Sequence, residues 1–449
     1  MSAAGRAAGY ASAVRALEAR GRFGIRLGLG RTRALLHELG DPQLAFRGAL
    51  VAGTNGKGSV LALAGAALRA AGLRVGETPK PHLVTYRERM QIAGRPVDPA
   101  TFAELVAEAG TAADRVARRL GEPTEFELLT AMVFRWFARE RVDLALVEVG
   151  LGGRLDATHA WDGGVAAITN VDLDHMDRLG STIVAIAREK AAIIERGDLA
   201  VTGATGDGLA VIRRRAARVG APLTAVEPAP IVGLSRDAIE VSLPRLGRTR
   251  VGLRGRHQAA NVAVAEALLD SLAAAGIADV GDDHRRDGYA AARWPGRLEL
   301  LETGGHDVLL DGAHNPSGAA TLAAALDDLR PFLQTGQLTL VTATMADKDV
   351  DGVVRSLAAS RALGDARVIA TRLEVPRALP ADELAAVWRR RAPALTVEVE
   401  PDPAVALEVA LQGASGPVVV AGSLYLVGLA RGLLVDDPLL RDPPGEGGS

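Results

Sequence analysis

An apolar run, Ala49-Leu-Val-Ala52, passes without a break into Gly53-Thr54-Asn55-Gly56-Lys57-Gly58-Ser59 and then into the helical pattern Val60 to Ala71. A strand that turns through glycines into a helix leaves unpaired backbone N–H groups at the helix N-terminus, where an anion is favoured. The lysine in the turn extends that attraction to distal phosphates. The loop is predicted to bind a nucleoside triphosphate. It is a variant of the usual phosphate loop, because Val51 stands where that pattern has its first glycine and Gly58 separates Lys57 from Ser59.

Lysine and arginine together number 52, yet only Lys57, Lys80, Lys190 and Lys348 are lysines. Surface charge can be arginine anywhere, whereas a compact ammonium among phosphates, or an amine that loses its proton and is modified, requires lysine. Each of these lysines is therefore a candidate functional residue.

The alternation of β-rich runs with helical patterns predicts α/β domains with mostly parallel sheets. Strands are expected at Ala49–Ala52, Leu73–Gly76, Val142–Val149, Val165–Asn170, Leu199–Thr202 and Leu223–Val226. Short alternating segments between Ile231 and Leu253 predict antiparallel hairpins at one edge, followed by a helix from His257 to Ala275. The Pro-Gly pair in Arg293-Trp-Pro-Gly-Arg297 marks a boundary. Beyond it, strands are expected at Asp307–Asp311, Leu338–Ala343, Val368–Ala370, Thr396–Val399 and Val418–Ala421. The predicted organisation is a P-loop-type ATPase domain over 1–292 with a β-hairpin edge, a linker at 293–297, a smaller Rossmann-like α/β domain over 298–435, and a disordered tail over 436–449.

The balance of charge, −2 at neutral pH, gives no electrostatic reason to expect nucleic acid or an anionic membrane as a partner. The absence of cysteine rules out disulfides and thiolate metal sites. No continuous apolar segment opens the chain, and the run Val418–Val435 is interrupted by Gly422, Ser423, Gly428 and Arg431, so it reads as a strand and a helix rather than a membrane span. A cytoplasmic monomer is expected.

Glu148 interrupts an apolar strand near its C-terminal end, where ligands of open α/β sheets bind, and is a candidate magnesium ligand beside the phosphates. His175, in Thr169-Asn-Val-Asp-Leu-Asp-His175, follows another such strand and is a second candidate ligand. Lys190 heads an apolar helix face as a candidate functional amine. Gly150-x-Gly152 is not a dinucleotide fingerprint, since Leu155 stands where a third small residue belongs.

Seven segments, in order, are similar to the folylpolyglutamate synthase and dihydrofolate synthase family of the Mur ligase group. They are the Gly53–Ser59 loop, Pro81-His-Leu-Val-Thr-Tyr-Arg-Glu-Arg89, Glu148-Val-Gly-Leu-Gly-Gly-Arg-Leu-Asp-Ala-Thr158, His257-Gln-Ala-Ala-Asn261, Trp294-Pro-Gly-Arg-Leu298, Asp311-Gly-Ala-His-Asn-Pro316 and Ala421-Gly-Ser-Leu-Tyr425. The resemblance implies ATP-dependent joining of L-glutamate to dihydropteroate or a folate, by way of an acyl phosphate. It implies that Lys57 and the loop hold the triphosphate, and that Glu148, His175 and a carbamylated Lys190 ligate Mg2+. Gln258, Asn261, Arg297, Asp311 and His314 match nucleotide contacts, and Lys348 matches the cation of the second domain. On the acceptor side it implies roles for Lys80, His82, Arg89, Thr124, Phe126, Asp156 and Ala157, with Phe126 stacking on the pterin and Asp156 accepting paired hydrogen bonds from it. That Leu-Asp-Ala-Thr form points to a bifunctional enzyme.

Two positions depart from the family. Lys80 stands where a magnesium-ligating serine is usual, so either a magnesium site is altered or Lys80 supplies charge to the triphosphate; His159 replaces an asparagine. A cell-wall Mur ligase is the nearest alternative, but about fifty residues before Gly53 are too few for its uridine-binding domain. A P-loop regulatory or transport ATPase is the other, and it has no use for the Asp311-Gly-Ala-His segment.

Overall fold

The computed structural model describes residues 3–21, 24 and 27–443. Two compact units share the chain: Met1–Pro228, Ala260–Tyr289 and Asp437–Ser449 make one, and Ala229–Ala259 with Ala290–Asp436 make the other.

The first unit is built on an eight-stranded sheet whose strands, in chain order, are β1 (Gly48–Ala52), β2 (Val75–Thr78), β3 (Gln91–Ile92), β4 (Arg95–Pro96), β5 (Leu144–Glu148), β6 (Gly164–Ile168), β7 (Leu199–Thr202) and β8 (Leu223–Ala225). Across the sheet they lie in the order β4-β3-β2-β5-β1-β6-β7-β8, parallel except for the β3–β4 hairpin. Every residue of β1 and β5 is buried, which suits central parallel strands covered on both faces. The register pairs Val51 with Glu148 and Ala52 with Ile168, so β5, β1 and β6 finish level at their C-terminal ends. That edge carries Glu148, the glycine-rich loop and Thr169-Asn170 side by side.

Behind the loop, the Ala- and Leu-rich helix Lys57–Ala70 buries every side chain from Ser59 to Leu68. Helix Glu125–Glu140 brings Phe134 and Phe137 against Phe46 and Trp161, with ring centroids 5.5 to 5.9 Å from Phe46, and this aromatic group fixes the sheet to its covering helices.

The second unit holds two sheets. One is antiparallel, β9 (Ile231–Leu234), β10 (Ile239–Leu243) and β11 (Gly247–Val251). The other comprises β12 (Glu299–Thr303), β13 (His306–Asp311), β14 (Thr339–Thr342), β15 (Arg367–Ala370), β16 (Thr396–Val399) and β17 (Val418–Ala421). Its order is β12-β13-β17-β14-β15-β16, parallel apart from β12. Trp388, Leu340, Val368 and Val419 belong to its core.

The structure departs from the sequence-based expectations at three places. The hairpins between 231 and 253 form a sheet of their own, and the antiparallel edge of the large sheet is made by β3 and β4 instead. They are counted with the second unit because Arg236 reaches Asp307 at 2.7 Å and Glu302 at 2.5 Å, while Arg254 donates to the carbonyl of Leu298 at 3.1 Å. The strand β12 was not anticipated. The expectation of disorder from Asp436 fails over 436–443, where the Asp442 carboxylate accepts hydrogen bonds from Thr85 Oγ1 at 2.7 Å and Arg87 Nε at 3.1 Å. Residues 444–449 of that expected tail lie outside the described residues. The run from Val418 is β17 followed by the helix Leu424–Leu434, and among the described residues no helix is long and apolar enough to cross a membrane.

Candidate active site

Two glycines of the loop have no room for a side chain. A Cβ on Gly53 would lie 1.8 Å from Thr169 Oγ1, and one on Gly56, whose φ is +82°, would lie 2.2 Å from Asn261 Oδ1. The loop is braced from the end of β6. Asn170 Oδ1 accepts from the N–H groups of Thr54 and Asn55 at 3.1 and 2.9 Å, Thr169 Oγ1 donates to the carbonyl of Asn55 at 2.6 Å, and Thr54 Oγ1 donates to the carbonyl of Asp172 at 3.1 Å. Thr169 and Asn170 were not among the predicted site residues. Two polar residues directly after a strand that neighbours the phosphate-loop strand are the signal that identifies them.

Positive charge converges on this loop. Lys57 Nζ donates to the carbonyls of Gly53 and Thr54, each at 3.2 Å, and lies 3.9 Å from Glu148 Oε1. Lys190, 4 % exposed, donates to the same Gly53 carbonyl at 2.8 Å. Burial, followed by the charge of Lys57, lowers the Lys190 amine to about 7. Lys80 lies on the other side of Glu148. Its main-chain N–H donates to Glu148 Oε2 at 2.9 Å, its ammonium donates to the carbonyl of Glu148, and that ammonium stands 5.1 Å from the centroid of the Phe126 ring. Burial lowers Lys80 to about 8 against the pull of Asp156 and Glu148.

Phe126, Lys80, Arg89 and Thr158 line one pocket, with Leu129 and Phe134 contributing its apolar part. Arg89 Nε donates to His82 Nδ1 at 2.8 Å, and the His82 ring packs on Tyr86 at 4.4 Å. Burial, and then Arg89, push His82 down to about 3, so it is a neutral acceptor at physiological pH. Asp156 is already engaged. Its Oδ2 accepts from Leu151 N at 2.8 Å, and its Oδ1 accepts from both the N–H and the hydroxyl of Thr158 at 3.0 and 2.5 Å. Of the roughly four acceptor directions of a carboxylate, these leave about one, where paired hydrogen bonds to a pterin had been expected. Ala157 is buried in the short helix that Asp156 caps. Thr124, also expected on the acceptor side, is the N-cap of helix Glu125–Glu140. Its hydroxyl accepts from Glu127 N, and the Glu127 carboxylate accepts from Thr124 N at 2.7 Å. His159, the second departure from the family, pairs with Glu195 at 3.3 Å and leaves Asp156 undisturbed.

In the second unit, Asp311 closes the end of β13, accepting from the N–H groups of Leu298 and Ala313, both at 2.9 Å. Burial raises its pKa and Arg297 opposes the rise. His314 Nδ1 lies 2.7 Å from the carbonyl of Gly312, Arg297 donates to the carbonyl of Gly296 at 3.0 Å, and Gln258 Nε2 lies 3.0 Å from His257 Nε2. Lys348 sits in the turn that precedes the helix Val350–Ala358.

Residues 51–269 match the Mur ligase middle domain, and residues 296–424 match the Mur ligase, glutamate ligase domain. The dihydrofolate synthase/folylpolyglutamate synthase of Bacillus subtilis is 33% identical over 420 residues, covering 90% of this chain and 94% of the relative. That of Mycobacterium tuberculosis is 35% identical, with 91% and 90% covered. The chain belongs to the folylpolyglutamate synthase and dihydrofolate synthase family. Among solved structures, M. tuberculosis folylpolyglutamate synthase complexed with ADP and AMPPCP superposes with a TM-score of 0.83 at 31% identity, covering 95% of this chain and 100% of that one. E. coli FolC in complex with DHPP and ADP superposes with a TM-score of 0.82 at 30% identity, covering 94% and 97%. This synthase-family chain is thus a ligase, and neither the cell-wall ligase nor the switch ATPase reading is favoured.

The donor set for magnesium in this family member is sparse. No group of three or more His, Asp or Glu side chains is assembled as a metal cage among the described residues. Glu148 is a buried carboxylate beside Lys57, His175 holds the N-cap position of a short helix with its side chain 45% exposed and its Nε2 3.8 Å from Asp174, and the Lys190 nitrogen donates to the Gly53 carbonyl. Magnesium is commonly bound by one or two carboxylates together with phosphate oxygens and water. One buried carboxylate at the phosphate loop fits that arrangement.

Proposed function

We propose that this ligase joins L-glutamate to dihydropteroate and to folates at the expense of ATP, acting on both acceptors as a cytoplasmic monomer. The observation that carries the proposal is the meeting at Glu148 of two neighbourhoods: the Gly53–Ser59 loop with Lys57 on one side, and the Lys80–Phe126 pocket on the other. A carboxylate acceptor seated by Phe126 lies next to the groups suited to a triphosphate.

Transfer of a phosphoryl group to a carboxylate gathers several anions, and catalysis consists largely of positioning and neutralising them. Lys57, Lys190 and the loop N–H groups provide the donors, and the two ammonium groups now crowd one carbonyl, Gly53 O. Asn261 abuts the loop and serves the adenine side together with Gln258. Arg297, Asp311 and His314 serve the nucleotide, and Lys348 serves the acyl phosphate or the incoming glutamate. Glu148 and His175 would hold magnesium, which when bound supplies positive charge to the phosphate oxygens. Lys190 is the site of carbamylation: with a pKa of about 7 much of it is free amine at neutral pH. The neutral amine nitrogen bonds to the carbon of carbon dioxide and releases one proton, leaving a carbamate whose oxygens are donors suited to magnesium. The amine of glutamate then displaces phosphate from the acyl phosphate to form the amide.

The test is ADP release with dihydropteroate or tetrahydrofolate, each with and without L-glutamate. Release that requires both a pteroyl acceptor and glutamate is expected. Release that is indifferent to either substrate contradicts the proposal.

A further inference from the structure

The loop that carries His82 and Arg89 is closed on itself by Glu88. The Glu88 carboxylate accepts from Leu83 N at 3.2 Å and from Val84 N and Thr85 N, each at 2.7 Å, while Thr85 N-caps the short helix Tyr86–Arg89. This helix serves the acceptor pocket. Arg89 lines the pocket and donates to His82, and the Tyr86 hydroxyl donates to Glu125 Oε1 at 2.9 Å, one residue before Phe126. A helix of four residues has too few hydrogen bonds of its own to keep a fixed direction, so where Tyr86 and Arg89 point depends on what holds Thr85 and Arg87.

What holds them is the carboxy-terminal segment. Asp437 turns the chain there, its carboxylate accepting from Leu439 N at 3.0 Å and its carbonyl from Leu440 N and Arg441 N at 3.0 and 3.2 Å. The turn leaves two acceptors facing the loop. Asp442 Oδ1 accepts from Thr85 Oγ1 at 2.7 Å and from Arg87 Nε at 3.1 Å, and the carbonyl of Arg441 accepts from Arg87 Nη2 at 2.9 Å. The Thr85 hydroxyl has one hydrogen and gives it to Asp442, so the Tyr10 hydroxyl, 2.9 Å away, is the donor to the Thr85 oxygen. Burial pushes the Tyr10 phenol up to about 12, which keeps that proton in place. Tyr10, Thr85 and Arg87 are all buried, and hydrogen bonds to ionised partners in such surroundings are strong and directional.

We propose that the segment Asp437–Pro443 is a strap that sets the acceptor pocket, with Asp442 as a positioning residue for the pteroyl substrate. It acts through Thr85 and Arg87 on Arg89 and His82. The phosphate loop is braced separately, by Thr169 and Asn170, so the strap bears on the acceptor more than on the nucleotide. The inference rests on the reading of the Lys80–Phe126 pocket as the acceptor site and adds to it a determinant 355 residues distant from Arg87 in the chain.

The experiment measures KM for dihydropteroate and KM for ATP in the ADP-release assay for wild type, Asp442→Ala and Asp442→Asn, well below the melting temperature of each. The Asp442 side chain is 38% exposed, and asparagine keeps an acceptor oxygen for Thr85 and Arg87 while losing the charge. The ratio of KM for dihydropteroate to KM for ATP is expected to rise about fivefold in Asp442→Ala, the scale of one hydrogen-bonded anchor, and to lie between that value and wild type in Asp442→Asn. An unchanged ratio in Asp442→Ala, with or without a lower melting temperature, makes the segment purely structural and overturns the strap while leaving the ligase reading intact. So does an Asp442→Asn ratio no nearer to wild type than that of Asp442→Ala. Failure of wild type to couple ADP release to any pteroyl acceptor overturns the ligase reading, and the strap with it.

Discussion

Lys190 Nζ lies 2.8 Å from the carbonyl oxygen of Gly53, the residue at which β1 becomes the phosphate loop. Lys57 shares that carbonyl at 3.2 Å, so two lysine nitrogens converge on one weak acceptor. The lowered pKa of Lys190 follows first from burial and then from the charge of Lys57.

That shift has a sign. An exposed lysine titrates near about 10.4, and in the folded protein Lys190 titrates at about 7 and Lys80 at about 8. Between those values the unfolded chain holds protons that the folded chain has released, so the contribution of these groups to stability rises with pH from about 7 to about 10. Below pH 7 both states are protonated and the cost of burying the charge is present in full. Denaturant titrations across this window should show the rise, and Lys190→Met should flatten part of it; a flat wild-type profile contradicts the assignment. Lys190→Ala should also lose ligation, with partial recovery on adding acetate.

Lys57→Ala should lower kcat by about 100-fold or more, the scale of losing one preorganised charge donor. Its ammonium binds only carbonyls of its own loop and lies near Glu148, so the melting temperature should move little. Near-normal turnover would refute the role of the loop.

For Gly56→Ala, the positive φ and the 2.2 Å approach to Asn261 act together. Strain of about 1–3 kcal/mol is expected at such a residue. KM for ATP should rise while the affinity for the pteroyl acceptor, measured by binding without nucleotide, is retained. Equal losses in both would indicate general unfolding instead.

Lys80 bears on magnesium through the Glu148 carboxylate, which its main-chain N–H holds at 2.9 Å. Two unit charges at close range repel by roughly 4 kcal/mol at an effective dielectric near 20, and a divalent ion near this ammonium feels more. Lys80→Ser should therefore lower the magnesium concentration for half-maximal activity. The same change removes the cation above Phe126 and should alter KM for dihydropteroate. No movement in either quantity would show that the side chain is a bystander.

Asp442→Ala removes a carboxylate from Arg87, a residue only 4 % exposed. Arg87 retains the carbonyls of Val97 at 3.2 Å and Arg441 at 2.9 Å, so a loss of about 1–3 kcal/mol is expected rather than the full cost of an orphaned buried charge. Denaturant midpoints measure it, and an unchanged midpoint contradicts it.

Which of these relations could be read in the chain depends on how far apart their partners lie. Glu148 and the Gly53 loop were legible because each interrupts a local pattern at a strand end. The strands Leu199–Thr202, Thr396–Val399 and Val418–Ala421 fall where periodicity puts them. The capping roles of Thr124 and Asp156 were less legible, because a capping residue and a ligand have the same chemistry; Thr124-Glu-Phe-Glu127 is itself a capping-box pattern. The place of the hairpins depends on Arg236, whose partner Asp307 is 71 residues distant, and the order of the C-terminal segment depends on Arg87, 355 residues before Asp442. Composition carries no record of such pairings.

With only four side-chain amines in the whole chain, and three of them gathered at Glu148 and Gly53, a small amine-acylating reagent has few side-chain targets outside this site. At pH 8 an exposed lysine is almost wholly protonated and unreactive, whereas about half of Lys80 and most of Lys190 carry a free electron pair. Acylation followed by peptide mass spectrometry would then report nucleotide and acceptor occupancy one lysine at a time, with Lys348 as an internal comparison.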